Sequence, residues 1–453
     1  MTIHEFGRRL RAREVTAEEV TDGCLHRIEA DSVNLNAFIL VMADEARRQA
    51  READRELAAG HDRGPLHGVP LSIKDLIDVR GTATTAASRV RDAHIAERDA
   101  PAIAHLRAAG AVFVGKTNLH EFAFGTTSEE SAFGPVRNPL DLTRSAGGSS
   151  GGSAASVASG MALASIGTDT GGSIRIPAAA CGVVGLKPTV NEVSTDGVVP
   201  LSPALDHVGP IARSVADAWI VYRGLMGAVP QRPPTPAPLG ALRLAVLRPY
   251  FCDMLDEEVR RQFERALDAL GAAGVRMSNA KIPHAAAIAP VYLHLGLADA
   301  AAYHATALET MPERYTPPVR LRLELGRYVL AEDYVRALAG REQLRREVDA
   351  ALADYDALVL PTLPIPAPRL GAASVQIGAD SQPVRNVMLR LTQLFNLTGH
   401  PAISMPCGLT PEGLPCGLQL VGARSHTDAI VRTALACEGQ LTTGPEKKED
   451  QET

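Results

Sequence analysis

The chain predicts an α/β fold, a sheet covered by helices, and three observations carry that expectation. A strand-like apolar run at His67–Val79, a helix from Pro101 to Ala109 closed by Gly110, and a buried strand at Ala111–Gly115 follow one another in strand, helix, strand order. Ala154 to Gly160 then reads as a small-residue helix and Met161 to Gly167 as another strand-like run. Composition agrees, because 453 residues with 45% hydrophobic and 22% charged suffice for one large α/β domain or two ordinary ones.

Each element has a local cause. Thr16-x-x-Glu19 is a capping box, and Val20, Cys24 and Ile28 follow it at helical spacing, so the first segment is an amphipathic helix. Residues 43 to 59 alternate Arg and Glu among alanines, the pattern of a solvated helix. The stretch from Val229 to Pro238 is a stiff, extended proline-rich connector. It separates a glycine-rich core at about 65–225 from a C-terminal portion at 240–445. Beyond it, Leu242–Leu247 is a strand, and Val259, Phe263, Leu267 and Leu270 line one face of a helix. Tyr303 to Tyr355 is helical, Asp356–Pro361 and Pro401–Pro406 are further strands, and Lys447–Thr453 is a frayed end.

Charge and cysteine usage narrow the function. A net charge of −6 offers no basic footprint for nucleic acid and no polybasic membrane signal. No leader-like N-terminus and no run of eighteen apolar residues occurs, so the expectation is a cytoplasmic protein with no membrane span. The six cysteines show no paired or zinc-site spacing and are expected to be reduced, with no metal and no cofactor. The partner is then a small molecule. The basic residues are 40 Arg and only six Lys, and three of those lysines, Lys74, Lys116 and Lys187, fall in the glycine-rich third.

Two stretches there stand out, Gly147–Ser153 and Thr168–Pro177. Glycines around single serines mark places where bare backbone amides approach something closely. Four readings compete. A flexible linker fits the first stretch alone, but the second runs straight into Ile174, Ile176, Val183 and Val184, which belong in a core. A phosphate loop would need a Gly-Lys-Ser/Thr ending or a G-x-G-x-x-G opening, and neither is present. A nucleophile elbow matches Gly147–Gly151 as G-x-S-x-G, yet needs a strand before the serine, where Asn138–Arg144 reads as a turn. The fourth reading pairs the serines with a lysine base, which works only if burial lowers the lysine pKa enough to populate the neutral amine. Lys74, set in an apolar strand, meets that requirement, although alone it would read as a strand-end lysine reaching solvent.

This combination resembles the amidase signature family. The runs Gly-Gly-Ser-Ser-Gly-Gly-Ser and Gly-Thr-Asp-Thr-Gly-Gly-Ser-Ile-Arg-Ile-Pro-Ala, the gap from Ser149 to Ser173, and the upstream Gly-Val-Pro-x-x-x-Lys-Asp all occur as that family has them. The likeness extends over almost the whole chain and implies one domain, 1–453, with a large, mixed, twisted central sheet covered on both faces by helices. It implies Ser173 as the nucleophile, Ser149 after a cis peptide as proton relay, and Lys74 as base. The backbone amides of Thr170, Gly171, Gly172 and Ser173 would form the oxyanion hole, a role that explains the glycines because donors must reach the oxyanion unobstructed.

For the substrate, the resemblance implies several branches. The acidic residue that amidotransferase subunits use for an amino-acid head group is missing from Arg385–Asn396, and Ile176 stands where malonamidase-type enzymes place a carboxylate-binding arginine. The expectation is therefore an apolar pocket walled by Ala123, Phe124, Gly125, Ile176 and Phe395. It would take neutral, fairly hydrophobic amides, anilides or carbamates, including urethanes, in a stand-alone monomer or homodimer. A glutamine-dependent amidotransferase subunit supplying ammonia is the alternative.

Overall fold

Strands from both sides of the proline-rich connector join a single mixed sheet of 11. The computed structural model describes residues 1–228 and 232–442; Val229, Pro230 and Gln231 of the connector, and the Lys447–Thr453 end, lie outside the described residues. In chain order the sheet strands are β1 (Phe38–Val41), β2 (Pro70–Lys74), β3 (Val112–Thr117), β4 (Ala164–Asp169), β5 (Val184–Lys187), β6 (His207–Ala212), β7 (Arg243–Leu247), β8 (Arg276–Ala280), β9 (Ala357–Pro361), β10 (Ala402–Leu409) and β11 (Pro415–Val421). Their spatial order is β1-β3-β2-β4-β6-β5-β10-β11-β9-β7-β8.

The β3-β2-β4 core of this sheet is parallel, with Ser72 opposite Ser165 and Ile73 opposite Ile166 across β2 and β4. Every residue of these three strands is buried, which is why they read as nearly continuous apolar runs. Parallel strands put their C-terminal ends on one edge, and ligand sites in such sheets lie there. Lys74 and Asp169 are the last residues of β2 and β4.

Helices flank the sheet, among them Gly151–Ala158, Arg175–Cys181, Val215–Leu225 and Glu257–Ala272. The capping box forms as expected: the Glu19 N–H donates to Thr16 Oγ1 (3.0 Å), and the Thr16 N–H to Glu19 Oε2 (2.9 Å). The Arg/Glu-rich helix Ala43–Ala58 buries only its Ala46, Ala50 and Ala53 stripe. The helical turn and helix from Ala285 to Thr310 are long and apolar enough to cross a membrane by length and composition, yet 44% of their apolar window is buried, and they pack against the helices Pro317–Gly326 and Ala331–Leu352. All six cysteines are free thiols.

One local expectation is corrected. Asn138–Arg144 is more than a turn: Arg137–Asn138 and Asp141–Ser145 form a two-stranded ribbon. A strand therefore does precede Ser149, but the ribbon is separate from the central sheet. A nucleophile elbow rises from the central sheet itself.

Candidate active site

Lys74 ends β2 fully buried. Its side chain shares a strand face with Ser72, whose hydroxyl meets Ser156 of the helix Gly151–Ala158 at 2.9 Å, so the lysine lies beneath that helix's N-terminal loop. Its Nζ donates to Ser149 Oγ (2.8 Å) and to Thr168 Oγ1 (2.7 Å). Burial lowers the Lys74 pKa to about 7, against the opposing charges of Asp169 and Asp206. The solvent-reaching orientation of an isolated strand-end lysine is absent. Once the amine is neutral, its lone pair can accept the Ser149 proton across the same 2.8 Å contact.

The Gly148–Ser149 peptide is cis. A side chain on Gly148 would collide with the backbone of residues 126–128 at 2.8 Å, so the loop after Phe124 lies directly against this bend. His120 and Ser128 both donate to the Ser149 carbonyl, at 3.1 and 3.0 Å.

Ser173 sits in the loop between β4 and the helix Arg175–Cys181. Its carbonyl accepts the Ser150 N–H at 3.2 Å, which ties the two glycine-serine stretches together. Ser173 retains 6% exposure while Ser149 and Lys74 retain none, so Ser173 is the member of the group that a substrate can reach. Its hydroxyl makes no hydrogen bond among the described residues, and neither do the backbone N–H groups of Thr170, Gly171, Gly172 and Ser173. Four successive N–H groups without a protein acceptor make this loop a row of backbone donors. Gly172 is obligatory here: its φ is +140°, and a Cβ would lie 2.2 Å from Thr392 Oγ1.

Buried charges within and around the second glycine stretch hold this loop. Arg175 Nη2 bonds Asp169 Oδ1 (2.9 Å) with both side chains wholly buried, and the same carboxylate accepts the Ile174 N–H (3.1 Å). Burial would raise the Asp169 carboxyl, but Arg175 holds it well below the usual carboxylate range. Arg175 also reaches Gln419 and Asn396, and Thr392 Oγ1 donates to the Gly171 carbonyl at 2.6 Å. Asp206, which burial pushes up to about 6, accepts from the Thr170 hydroxyl at 2.5 Å. Tyr292 packs its hydroxyl where a Gly171 side chain would otherwise go. The spacing of Asp169 and Arg175 inside the motif could have marked them as a pair, and Thr168 opens the same stretch; Tyr292 and Thr392 carry no sequence signal.

The expected pocket wall is only partly assembled. Phe124 and Gly125 lie at a cavity of about 280 Å³ next to the Gly148 bend, Gly125 as lining and Phe124 beneath two arginines that line it. Ala123 is buried in the preceding turn, Ile176 packs under Gly172, and Phe395 is wholly buried in the core of the helix Gln393–Leu397. His120, Thr126, Glu129, Glu130, Arg322 and Arg385 give this cavity a polar and charged wall, and the two arginines come from residues far from the motifs in sequence.

Comparison with known proteins gives this geometry a class, the amidase signature C–N hydrolases. The chain belongs to the amidase family, whose description, Amidase, matches residues 19–431. It is 40% identical to an amidase of Pseudomonas putida over 98% of this chain and 96% of that one. It is 36% identical to a glutamyl-tRNA(Gln) amidotransferase subunit of Koribacter versatilis, over 97% of this chain and 98% of the other. A crystal structure of an amidase superposes with a TM-score of 0.91 at 39% identity, covering 97% of this chain and all of that one.

Proposed function

We propose that this enzyme cleaves the C–N bond of small amides or carbamates through an acyl-enzyme on Ser173, with Ser149 and Lys74 as the proton relay. The observation that carries the reading is the 2.8 Å contact between a fully buried lysine and Ser149, beside a loop of unpaired N–H groups that leads to Ser173. The Ser173 hydroxyl, which has no protein partner in the resting site, turns to Ser149 as Ser173 Oγ attacks the carbonyl carbon, so that its proton passes to Ser149 and the Ser149 proton to Lys74 across the 2.8 Å contact. The developing oxyanion is received by the N–H groups of residues 170–173. Collapse breaks the C–N bond as Lys74, through Ser149, returns the proton to the departing nitrogen, which could not leave as an anion. Water then attacks the acyl-enzyme by the reverse path and frees the acid; when the substrate is a carbamate, loss of the amine leaves a carbonate on Ser173, and water frees the carbonic acid half-ester, which falls to CO2 and the alcohol.

A second reading, an amidotransferase subunit that supplies ammonia, is favoured by the full-length likeness to the glutamyl-tRNA(Gln) amidotransferase chains. It is weakened by Arg385–Asn396, which holds no carboxylate for an amino-acid head group. The two readings separate on purified protein alone, by following ammonia or amine release from primary amides, p-nitroanilides, aryl carbamates and glutamine. The hydrolase reading expects turnover without partner subunits, and a loss of about 10⁴-fold or more in Ser173→Ala and Lys74→Ala with the fold intact. Retention of more than a few per cent of activity in either variant overturns the assigned roles.

A further inference from the structure

An apolar ridge runs along the outside of three packed helices. The chain turns back at Tyr315, which bonds His304 at 2.9 Å. Further on, a Cβ on Gly326 would lie 2.2 Å from the Leu297 carbonyl, one on Gly340 would lie 2.8 Å from Val291, and the His284 N–H donates to Glu347 at 3.0 Å. These contacts step steadily backwards, so the helices Pro317–Gly326 and Ala331–Leu352 lie end to end along the helix Ile288–Thr310, both antiparallel to it. Val319, Leu323 and Gly326, then Ala337, Leu344 and Val348, are their buried faces. On the outer side Leu321, Leu325, Tyr328, Val335 and Leu338 are exposed at intervals of three, four and seven residues, the spacing of a helix seam. Leu330 fills the corner between the two helices, and Tyr328 beside it is 81% exposed. Among the described residues, six of the sixteen exposed large apolar side chains fall between Leu321 and Leu338, so this exposure is a patch and not scatter. Together the six expose on the order of 700 Å², above the roughly 300–600 Å² of an ordinary monomer's largest patch and close to the roughly 800 Å² that one partner gives to a standard interface.

We propose that this ridge is the interface of a two-fold symmetric dimer of this chain, in which the helix Pro317–Gly326 of each copy lies along the helix Ala331–Leu352 of the other. The charges that flank the ridge select this partner and this direction. Its first half carries Arg320, Glu324 and Arg327, while Arg322 turns inward to His120. Its second half carries Glu332, Asp333 and Arg336. The first half is therefore net positive and the second net negative, even though Arg320 pairs with Glu324 at 2.6 Å and Arg336 with Asp333 at 3.2 Å. A two-fold axis at the corner, residues 327–330, lays each half on the opposite half of the second copy. Leu321 of one copy then faces Leu338 of the other, Leu325 faces Val335, and Arg327 meets the acidic first turn of the other copy's helix. A surface of this kind is self-complementary, as a two-fold interface requires. A lipid surface would instead call for a cationic collar, and the charges of the two halves cancel.

The test is sedimentation velocity with light scattering on the full-length chain, over about 0.1–50 μM. Wild type should form a species of twice the chain mass. Tyr328→Glu and, separately, Val335→Lys place a charge in the seam on side chains that lie outside the core, so both should keep the wild-type circular dichroism and weaken association by about 30-fold or more. Arg327→Glu and Glu332→Arg should each weaken association, and the two combined in one chain should restore at least part of it. A monomer at every concentration overturns the proposal. So does a dimer that Tyr328→Glu and Val335→Lys leave unmoved, since its interface is then elsewhere, and so does a double charge swap that associates no better than its singles. Flotation of a monomeric wild type with vesicles of phosphatidylcholine and phosphatidylglycerol, lost in Tyr328→Glu, would assign the ridge to lipid and likewise overturn the dimer.

Discussion

The sharpest prediction concerns the pH at which Lys74 becomes a base. At its ordinary pKa of 10.5 a lysine is neutral in about one molecule in 3,000 at pH 7, whereas at about 7 it is neutral in roughly half. Burial therefore multiplies the competent base by about 1,500, worth about 4 kcal/mol of barrier. Because the folded pKa is depressed, the active neutral form grows as pH rises through it. The kcat/KM for acylation, which reports the free enzyme, should climb about tenfold per pH unit below about 7 and level off above about 8. Lys74→Arg keeps the cation but cannot lose its proton, so it should fall by about 10³-fold or more and show no recovery up to about pH 10. Single-turnover release of p-nitroaniline across this range is the assay, since it isolates acylation. A flat profile between about pH 5 and 9, a midpoint near 9 or higher, or a Lys74→Arg enzyme with a tenth of wild-type activity would refute the reasoning.

Three further outcomes follow from the same geometry. Thr168→Val removes an acceptor of the charged Lys74, so the acidic limb of the profile should move down by about half a unit to one unit; an upward move contradicts the contact at 2.7 Å. Gly172→Ala forces a Cβ against Thr392 at a positive φ and should cost about 100-fold or more in acylation rate, measured in single turnovers, with acylation at the wild-type rate as the contrary result. Arg175→Met leaves Asp169 buried without its partner and should destabilise the protein by about 3–5 kcal/mol, read as a lowered urea midpoint; an unchanged midpoint would mean the pair is not a structural anchor.

The parts of the site that sequence could reveal are those whose chemistry is local. A lysine inside an apolar run, or glycines crowding a serine, contradict the ordinary needs of a strand or a core, and Lys74, Ser149 and Ser173 are visible for that reason. Arg322 and Arg385 break no local rule: each sits on a helix in a chain with 40 arginines, and only the fold brings them to one ring. Phe395 shows the converse, an aromatic that reads as a pocket wall but whose helix turns it wholly into the core. The ribbon at Arg137–Ser145 is hidden because Asn138-Pro139 and Asp141 are turn-forming residues, and pairing across so short a loop is decided by the chain it packs on.

The central claim, that the hydroxyl of Ser173 is the nucleophile armed by Lys74, is tested most directly by trapping. Purified enzyme treated with a fluorophosphonate should carry a single adduct, found on the Ser173 peptide by mass spectrometry, and Lys74→Ala should acquire it at least about 100 times more slowly. An adduct on Ser149 or elsewhere, or labelling of Lys74→Ala at the wild-type rate, would contradict it.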